Sequence, residues 1–236
     1  MEKLHLICVT KFTNREKRRV AKEEIDKLAF EKKLLASGKK IISGTDEVGR
    51  GPLAGPVCVA SVVMPLEPDK IIAGIDDSKK LPPKRREELY EKIMQTAKAV
   101  RIEWVDEKRI DEINILNATK EAMVKSIENL GVMPDIALVD AVKNLPVSCE
   151  TMPIVKGDAL SYSIGAASIV AKVSRDRLMC EMAKKYPEYG FEKNMGYGTA
   201  VHMEALRKFG ASPIHRKTFL KFMNDPAWLA GGNKSV

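Results

Sequence analysis

The chain has only four cysteines, Cys8, Cys58, Cys149 and Cys180, far apart and without a Cys-x-x-Cys pair. That excludes a zinc ribbon or a disulfide framework and leaves reduced, mostly buried thiols. Histidine is scarcer still: His5, His202 and His215 show no metal-ligand spacing, so any ion chemistry has to use oxygen donors. No apolar run reaches the roughly 18 residues that a membrane span requires. The opening residues MEKLHLICVTKFTNREKRR lack the apolar core and small-residue cleavage site of a secretory signal, so a cytoplasmic location is expected. Internal repeats and low-complexity tracts are also missing.

What is present is a 236-residue chain, 44% hydrophobic and 31% charged, the composition of a soluble globular protein. One α/β domain with a small appendage is expected, since a single core grows to roughly 250 residues before it splits. The net charge is +8, which points to a polyanionic partner. Residues 1–40 hold 12 Lys+Arg against 6 Asp+Glu, leaving 28 against 26 for the rest, so the N-terminal arm supplies most of the excess.

Thr13 with Glu16 reads as a capping box opening a helix over 13–36, with Ala21, Ile25, Leu28 and Leu35 on one face. Strands are predicted at 40–47 and 56–64, joined by a glycine-rich turn. A loop over 66–83, a helix to about Ala97 and a strand at 100–105 follow, then helices at 107–113 and 114–130. Residues 135–141 (DIALVDA) read as a buried strand with Asp140 at its tip, where open α/β sheets place ligands. A strand over 147–155, a long helix over 161–186 with a polar stripe of Ser168, Lys172 and Asp176, and a helix over 199–209 complete the body. Residues 226–236 are expected to be a flexible tail.

The segment GTDEVGRGPLAGPV, residues 44–57, organises the candidate chemistry. Asp46 and Glu47 run into Gly49-Arg50-Gly51, where glycine lets main-chain groups approach a ligand closely. Asp140, Asp158 and Asp176 are further acids that a mixed sheet with flanking helices brings within range. Crowded carboxylates raise one another's pKa unless a cation neutralises them, and hard oxygen ligands favour Mg²⁺ or Mn²⁺. Two such ions about 4 Å apart would activate a water and hold a scissile phosphate. Neighbouring strand residues point to opposite faces, so Asp46 and Glu47 reach one metal only if a bulge or the strand end re-aims one of them, or if Glu47 acts through its carbonyl or a water. Locally, Asp158 also fits a helix cap and Asp176 an i,i+4 partner of Lys172.

With these residues in hand, the chain resembles bacterial ribonuclease HII, the type 2 ribonuclease H. DEVGRGPLAGPV (46–57), DDSKKL (76–81), LVDA (138–141), KGD (156–158), AASIVAKVSRDR (166–177), GYGT (196–199) and PIHR (213–216) follow that family's pattern in order across about residues 41–220. The resemblance implies an RNase H-like fold, a five-stranded mixed sheet flanked by helices, as a catalytic domain over 41–225 behind the basic extension 1–40. It implies metal-dependent hydrolysis of RNA in RNA/DNA hybrids and incision of duplex DNA on the 5′ side of an embedded ribonucleotide, leaving a 3′-hydroxyl and a 5′-phosphate. Asp46, Glu47 and Asp140 are then catalytic metal ligands with Asp158 as the fourth acid and Asp176 as its competitor. Gly49, Arg50 and Gly51 would read the 2′-hydroxyl, Tyr197 would pack on the following deoxyribose, and Lys79, Lys172 and Arg216 would contact phosphate. Gly-Arg-Gly and the short N-terminal segment separate the chain from ribonuclease HIII, whereas Asn194-Met195 departs from the more basic pair common before GYGT. A monomer without an obligate protein partner, serving ribonucleotide excision repair and primer removal, is expected. The alternatives are another nuclease on the same fold and a non-catalytic nucleic-acid-binding protein.

Overall fold

Residues 26–229 are described by the computed structural model. Five strands form one mixed sheet in the order β3 (Ala99–Val105), β2 (Val57–Val63), β1 (Ile42–Val48), β4 (Ile136–Asp140), β5 (Glu150–Ile154). The β1–β2 and β2–β3 pairs are antiparallel, and β4 and β5 continue the sheet in parallel from β1. The Val-rich β2 is buried along its whole length because both of its faces are covered. Cys58, Ala60 and Val62 face Leu89 and Ile93 of α2 (Pro83–Thr96), while Val57 and Val59 face Ile110, Ala118 and Met123 of α3 (Glu107–Glu128). Helix α3 is two helical runs broken at Asn114 (φ 66°), as the sequence predicts.

The long helix α5 (Tyr162–Lys185) follows a one-turn helix α4 (Gly157–Leu160) and lies across β1. Contact is backbone to backbone at Gly44, where an added Cβ would stand 2.1 Å from the carbonyl carbon of Ser163. Ala166 and Ala167 keep the same helix close to β2.

Three expectations need correction. The described part of the N-terminal helix is α1 (Ala29–Ala36), and residues 26–28 are not helical, so no single helix runs to residue 36 from residue 13; the Thr13 cap lies outside the described residues. Its inward residues are Glu31 and Leu34, whereas Leu35 is exposed. Glu31 accepts from the Ser161 hydroxyl (2.6 Å) and the Ser163 amide (2.9 Å), and so ties α1 to the start of α5. Residues 26–40 thus belong to the body. The tail expected over 226–236 is also structured where it is described: Pro226–Leu229 is helical, and the Trp228 ring is buried edge-on to Phe222 under the Arg207 guanidinium. Finally, β5 is shorter than predicted, ending at Ile154 before a left-handed Lys156 (φ 59°).

Candidate active site

Parallel pairing of β1 with β4 sets Thr45 opposite Val139, so the next step along both strands brings Asp46 beside Asp140. Ile42, Ile136 and Leu138 pack on Ile164 of α5, and period-2 alternation puts Asp46 and Asp140 on that same face at the C-terminal sheet edge. Neighbouring strands run about 4.8 Å apart, which is the spacing of the two carboxylate stems. Asp140 Oδ1 accepts from the Gly157 amide (2.8 Å), and Asp46 Oδ1 accepts from the Glu47 amide (2.8 Å). Burial, then the charges of Glu47 and Asp140, push the Asp46 carboxyl well above the usual carboxylate range.

Glu47 takes the opposite face, and β1 pairs with β2 in regular register through Val48, so no bulge re-aims it. Its Oε1 accepts from Arg50 Nη1 (3.2 Å), whereas its buried Oε2 has no partner. Burial raises Glu47, with Arg50 opposing and Asp140 adding to the shift. Asp158, at the turn after β5, is raised by burial and then by Asp77 and Asp140. Asp77 is a neighbour that sequence reasoning passed over, although DDSKKL contains it. Asp176 stands elsewhere: Lys172 Nζ lies 2.7 Å and Arg86 Nη2 3.7 Å from its carboxylate. The competing fourth acid is therefore a salt-bridge partner, and Lys172 is spent on it. Among the described residues no three His, Cys, Asp or Glu side chains already form a metal cage.

Beside the acids lies the loop between β1 and β2. Gly49 has φ +93°, and a Cβ there would strike Arg175 Nε at 2.3 Å, so only glycine fits. The Arg50 side chain is exposed, and the half-exposed Tyr197 ring stands next to Gly51, where a Cβ would meet its Cε1 at 3.5 Å. Lys79 is exposed and its charge reaches Asp158. Arg216 corrects the expectation of a phosphate contact: its guanidinium is fully buried and donates to the carbonyls of Gly49 (2.6 Å), Arg50 (3.0 Å) and Gly55 (2.7 and 2.9 Å).

Asn194, in place of a basic residue, is buried in α6 (Phe191–Asn194), donating to the Tyr189 carbonyl (2.7 Å) and accepting from the Gly196 amide (2.8 Å). The turn it shapes carries Tyr197 into α7 (Ala200–Phe209). A one-way chain secures that turn. The Ser212 amide donates to His215 Nδ1 (2.9 Å), His215 Nε2 to His202 Nε2 (2.9 Å), and His202 Nδ1 to the Tyr197 carbonyl (2.9 Å). Both imidazoles must be neutral for every link to form.

Acid should therefore weaken this region. Burial pushes His215 from 6.5 to about 4, so between those values the unfolded chain binds a proton that the folded chain refuses, and stability falls as pH falls. The raised carboxylates work in the opposite direction, so the informative quantity is the difference between the native protein and His215→Asn. In urea unfolding, native stability relative to the variant should drop by about 3 kcal/mol from pH 6.5 to 4. Parallel pH curves would show that His215 is not buried neutral.

Three comparisons bear on this arrangement. The family profile described as Ribonuclease HII matches residues 43–222. The chain is similar to the Ribonuclease HII of Acetivibrio thermocellus, 54% identical over 192 residues that cover 81% of this chain and 74% of that one. Over 199 residues it is 53% identical to the Ribonuclease HII of Caldicellulosiruptor bescii, covering 84% and 96%. Among solved structures, the ribonuclease H2 from Pyrococcus horikoshii OT3 aligns with a TM-score of 0.64 at 29% identity, over 76% of this chain and 93% of that one.

Proposed function

The chain belongs to the ribonuclease HII family, endonucleases of the ribonuclease H type, and we propose that it hydrolyses the RNA strand of RNA/DNA hybrids and incises duplex DNA 5′ of an embedded ribonucleotide. The observation that carries this reading is the juxtaposition of the Asp46–Asp140 pair with the Gly49-Arg50-Gly51 loop, exposed at Arg50 and Gly51, and Tyr197. One part offers charge for hydrolysing a phosphodiester, and the other offers main-chain donors and a ring to a sugar. The 2′-hydroxyl is the group that tells RNA from DNA locally.

The acids fit a hard divalent cation, Mg²⁺ or Mn²⁺. Their donors are all carboxylate oxygens, Glu47 Oε2 is buried without a partner, and Asp46 is disfavoured as an anion until a positive charge arrives. Asp46, Asp140 and Asp158 would hold the ions, and Glu47, near the end of β1, would join them through its main-chain carbonyl or a bound water. When bound, such ions lower the pKa of a water and neutralise charge building on the phosphate. The Gly157 amide orients Asp140, and the Glu47 amide orients Asp46, so neither carboxylate has to be ordered during the reaction. Lys79 is free to face a phosphate near Asp158. Products would carry a 3′-hydroxyl and a 5′-phosphate, in a monomeric protein working on replicating and repaired DNA in the cytoplasm. Among the described residues no helix is long and apolar enough to cross a membrane.

The test uses matched RNA/DNA, DNA/DNA and RNA/RNA duplexes with Mg²⁺, Mn²⁺ or chelator. Only the RNA strand of the hybrid should be cut, and chelator should stop it. Equal cutting of DNA/DNA would move the protein to another nuclease activity on the same fold. Tight binding without cutting would leave a binding protein.

A further inference from the structure

Two of the largest fully buried side chains in the molecule are arginines, Arg175 and Arg216, and both lie under the loop between β1 and β2. Arg175, on α5, donates from Nε to the Pro56 carbonyl (2.9 Å), from Nη2 to Ala54 (3.1 Å) and from Nη1 to Met195 (2.9 Å). Arg216 takes the carbonyls of Gly49, Arg50 and Gly55. Every acceptor in these bonds is a main-chain carbonyl. Burying two guanidiniums side by side is costly, and burial together with the Arg175 charge pushes Arg216 down to about 9, which still leaves it protonated at neutral pH.

The peptide unit is planar and trans, so a carbonyl drawn inward turns the next residue's N–H the other way. With the carbonyls of Gly49 and Arg50 pulled toward Arg216, the amides of Arg50 and Gly51 face out beside the Tyr197 ring. The Met195 bond ties the Tyr197 turn to the same anchor, and the Leu53 amide, donating to the Gly196 carbonyl (2.8 Å), closes the connection.

We propose that Arg175 and Arg216 are positioning residues for ribonucleotide selection, holding the Arg50 and Gly51 amides and Tyr197 as one preset unit through the fork geometry of their guanidiniums. Neither side chain touches substrate. The inference rests on the functional reading above, because it assigns the loop to the 2′-hydroxyl. Charge alone does not suffice: lysine in either place keeps the cation but presents a single ammonium that cannot span three carbonyls in one plane. Loss of the fork frees the peptide planes, and the loop then pays an ordering cost on binding.

Arg175→Lys and Arg216→Lys test this by binding rather than turnover. The affinities of a duplex with one ribonucleotide and of its all-DNA counterpart are measured with Ca²⁺ in place of the reactive ion, Mn²⁺ affinity is titrated separately, and thermal unfolding checks the fold. In folded variants the preference for the ribonucleotide duplex should fall at least about tenfold, with Mn²⁺ affinity retained because the acids are held by β1, β4 and the Gly157 amide. An unchanged preference in folded variants overturns the proposal. Equal loss of preference and Mn²⁺ affinity, or failure of both variants to fold, also overturns it, since the pair would then be a general structural element. A native protein that shows no preference for the ribonucleotide duplex would instead reject the functional reading itself.

Discussion

Asp46→Asn should abolish cleavage while making the metal-free protein more stable. Asp46 is buried beside Asp140 and near Glu47, and its carboxyl is pushed well above its ordinary range by burial first and by those charges second. A carboxylate with a raised folded-state pKa penalises the native state at pH values where it must ionise, so the penalty grows as pH rises and vanishes in acid. Asparagine keeps an oxygen for the Glu47 amide but carries no charge. At pH 8 without divalent ions the variant should unfold a few degrees above the native protein, a gain of about 1 kcal/mol. Near pH 4 the two should converge. Adding Mg²⁺ or Mn²⁺ should raise the native midpoint by mass action and move the variant little. Activity should drop by at least about a thousandfold, since a lost ligand forfeits several kcal/mol of charge stabilisation. A variant that keeps its activity would remove Asp46 from the site, and one less stable than the native protein without metal would show that the acids are not in conflict.

The second large effect is at Gly44. A Cβ there would lie 2.1 Å and 2.2 Å from the Ser163 carbonyl carbon and oxygen, and 2.4 Å from the Ile164 amide nitrogen. All three are backbone atoms of α5, so no side-chain rotation relieves the contact, and helix and sheet must separate. Gly44→Ala should cost about 4 kcal/mol or more, beyond the usual range for overpacking. Gly38 provides the control. It has a positive φ but nothing within 4 Å of an added Cβ, so Gly38→Ala should cost only about 1 kcal/mol of backbone strain. Similar urea midpoints for the two variants would contradict this account of how α5 seats on β1.

Most of the sheet was legible because the strands advertise themselves. The run at Val57–Val63 is buried on both faces and reads as continuous valine-rich sequence, and Asp140 stands out because an acid closes an otherwise apolar strand. The conflict between Asp46 and Glu47 was also foreseeable from alternation, and the regular β1–β2 register leaves them on opposite faces. Arg216 was not legible. A basic residue in a polar turn looks the same in sequence whether it meets phosphate or fills its donors with carbonyls. The available signal was an accounting of main-chain acceptors: a glycine-rich loop with no strand partners has carbonyls to satisfy, and buried arginines do it here. For Asp176, helical spacing already offers Lys172 as the partner it has, but does not show Arg86 arriving from another helix. The periodicity that sets Leu35 on one face with Leu28 requires an unbroken helix, whereas residues 26–28 are not helical and Leu35 is exposed.

The most direct test of the central claim changes one atom of the substrate. Four duplexes, identical except for hydroxyl, hydrogen, fluoro or methoxy at one 2′ position, are incubated with the native protein and Mg²⁺ or Mn²⁺, and the ends are mapped. The account predicts incision of the hydroxyl duplex alone, on the 5′ side of that nucleotide, with a 3′-hydroxyl product. Incision of the deoxy duplex at a comparable rate would contradict it.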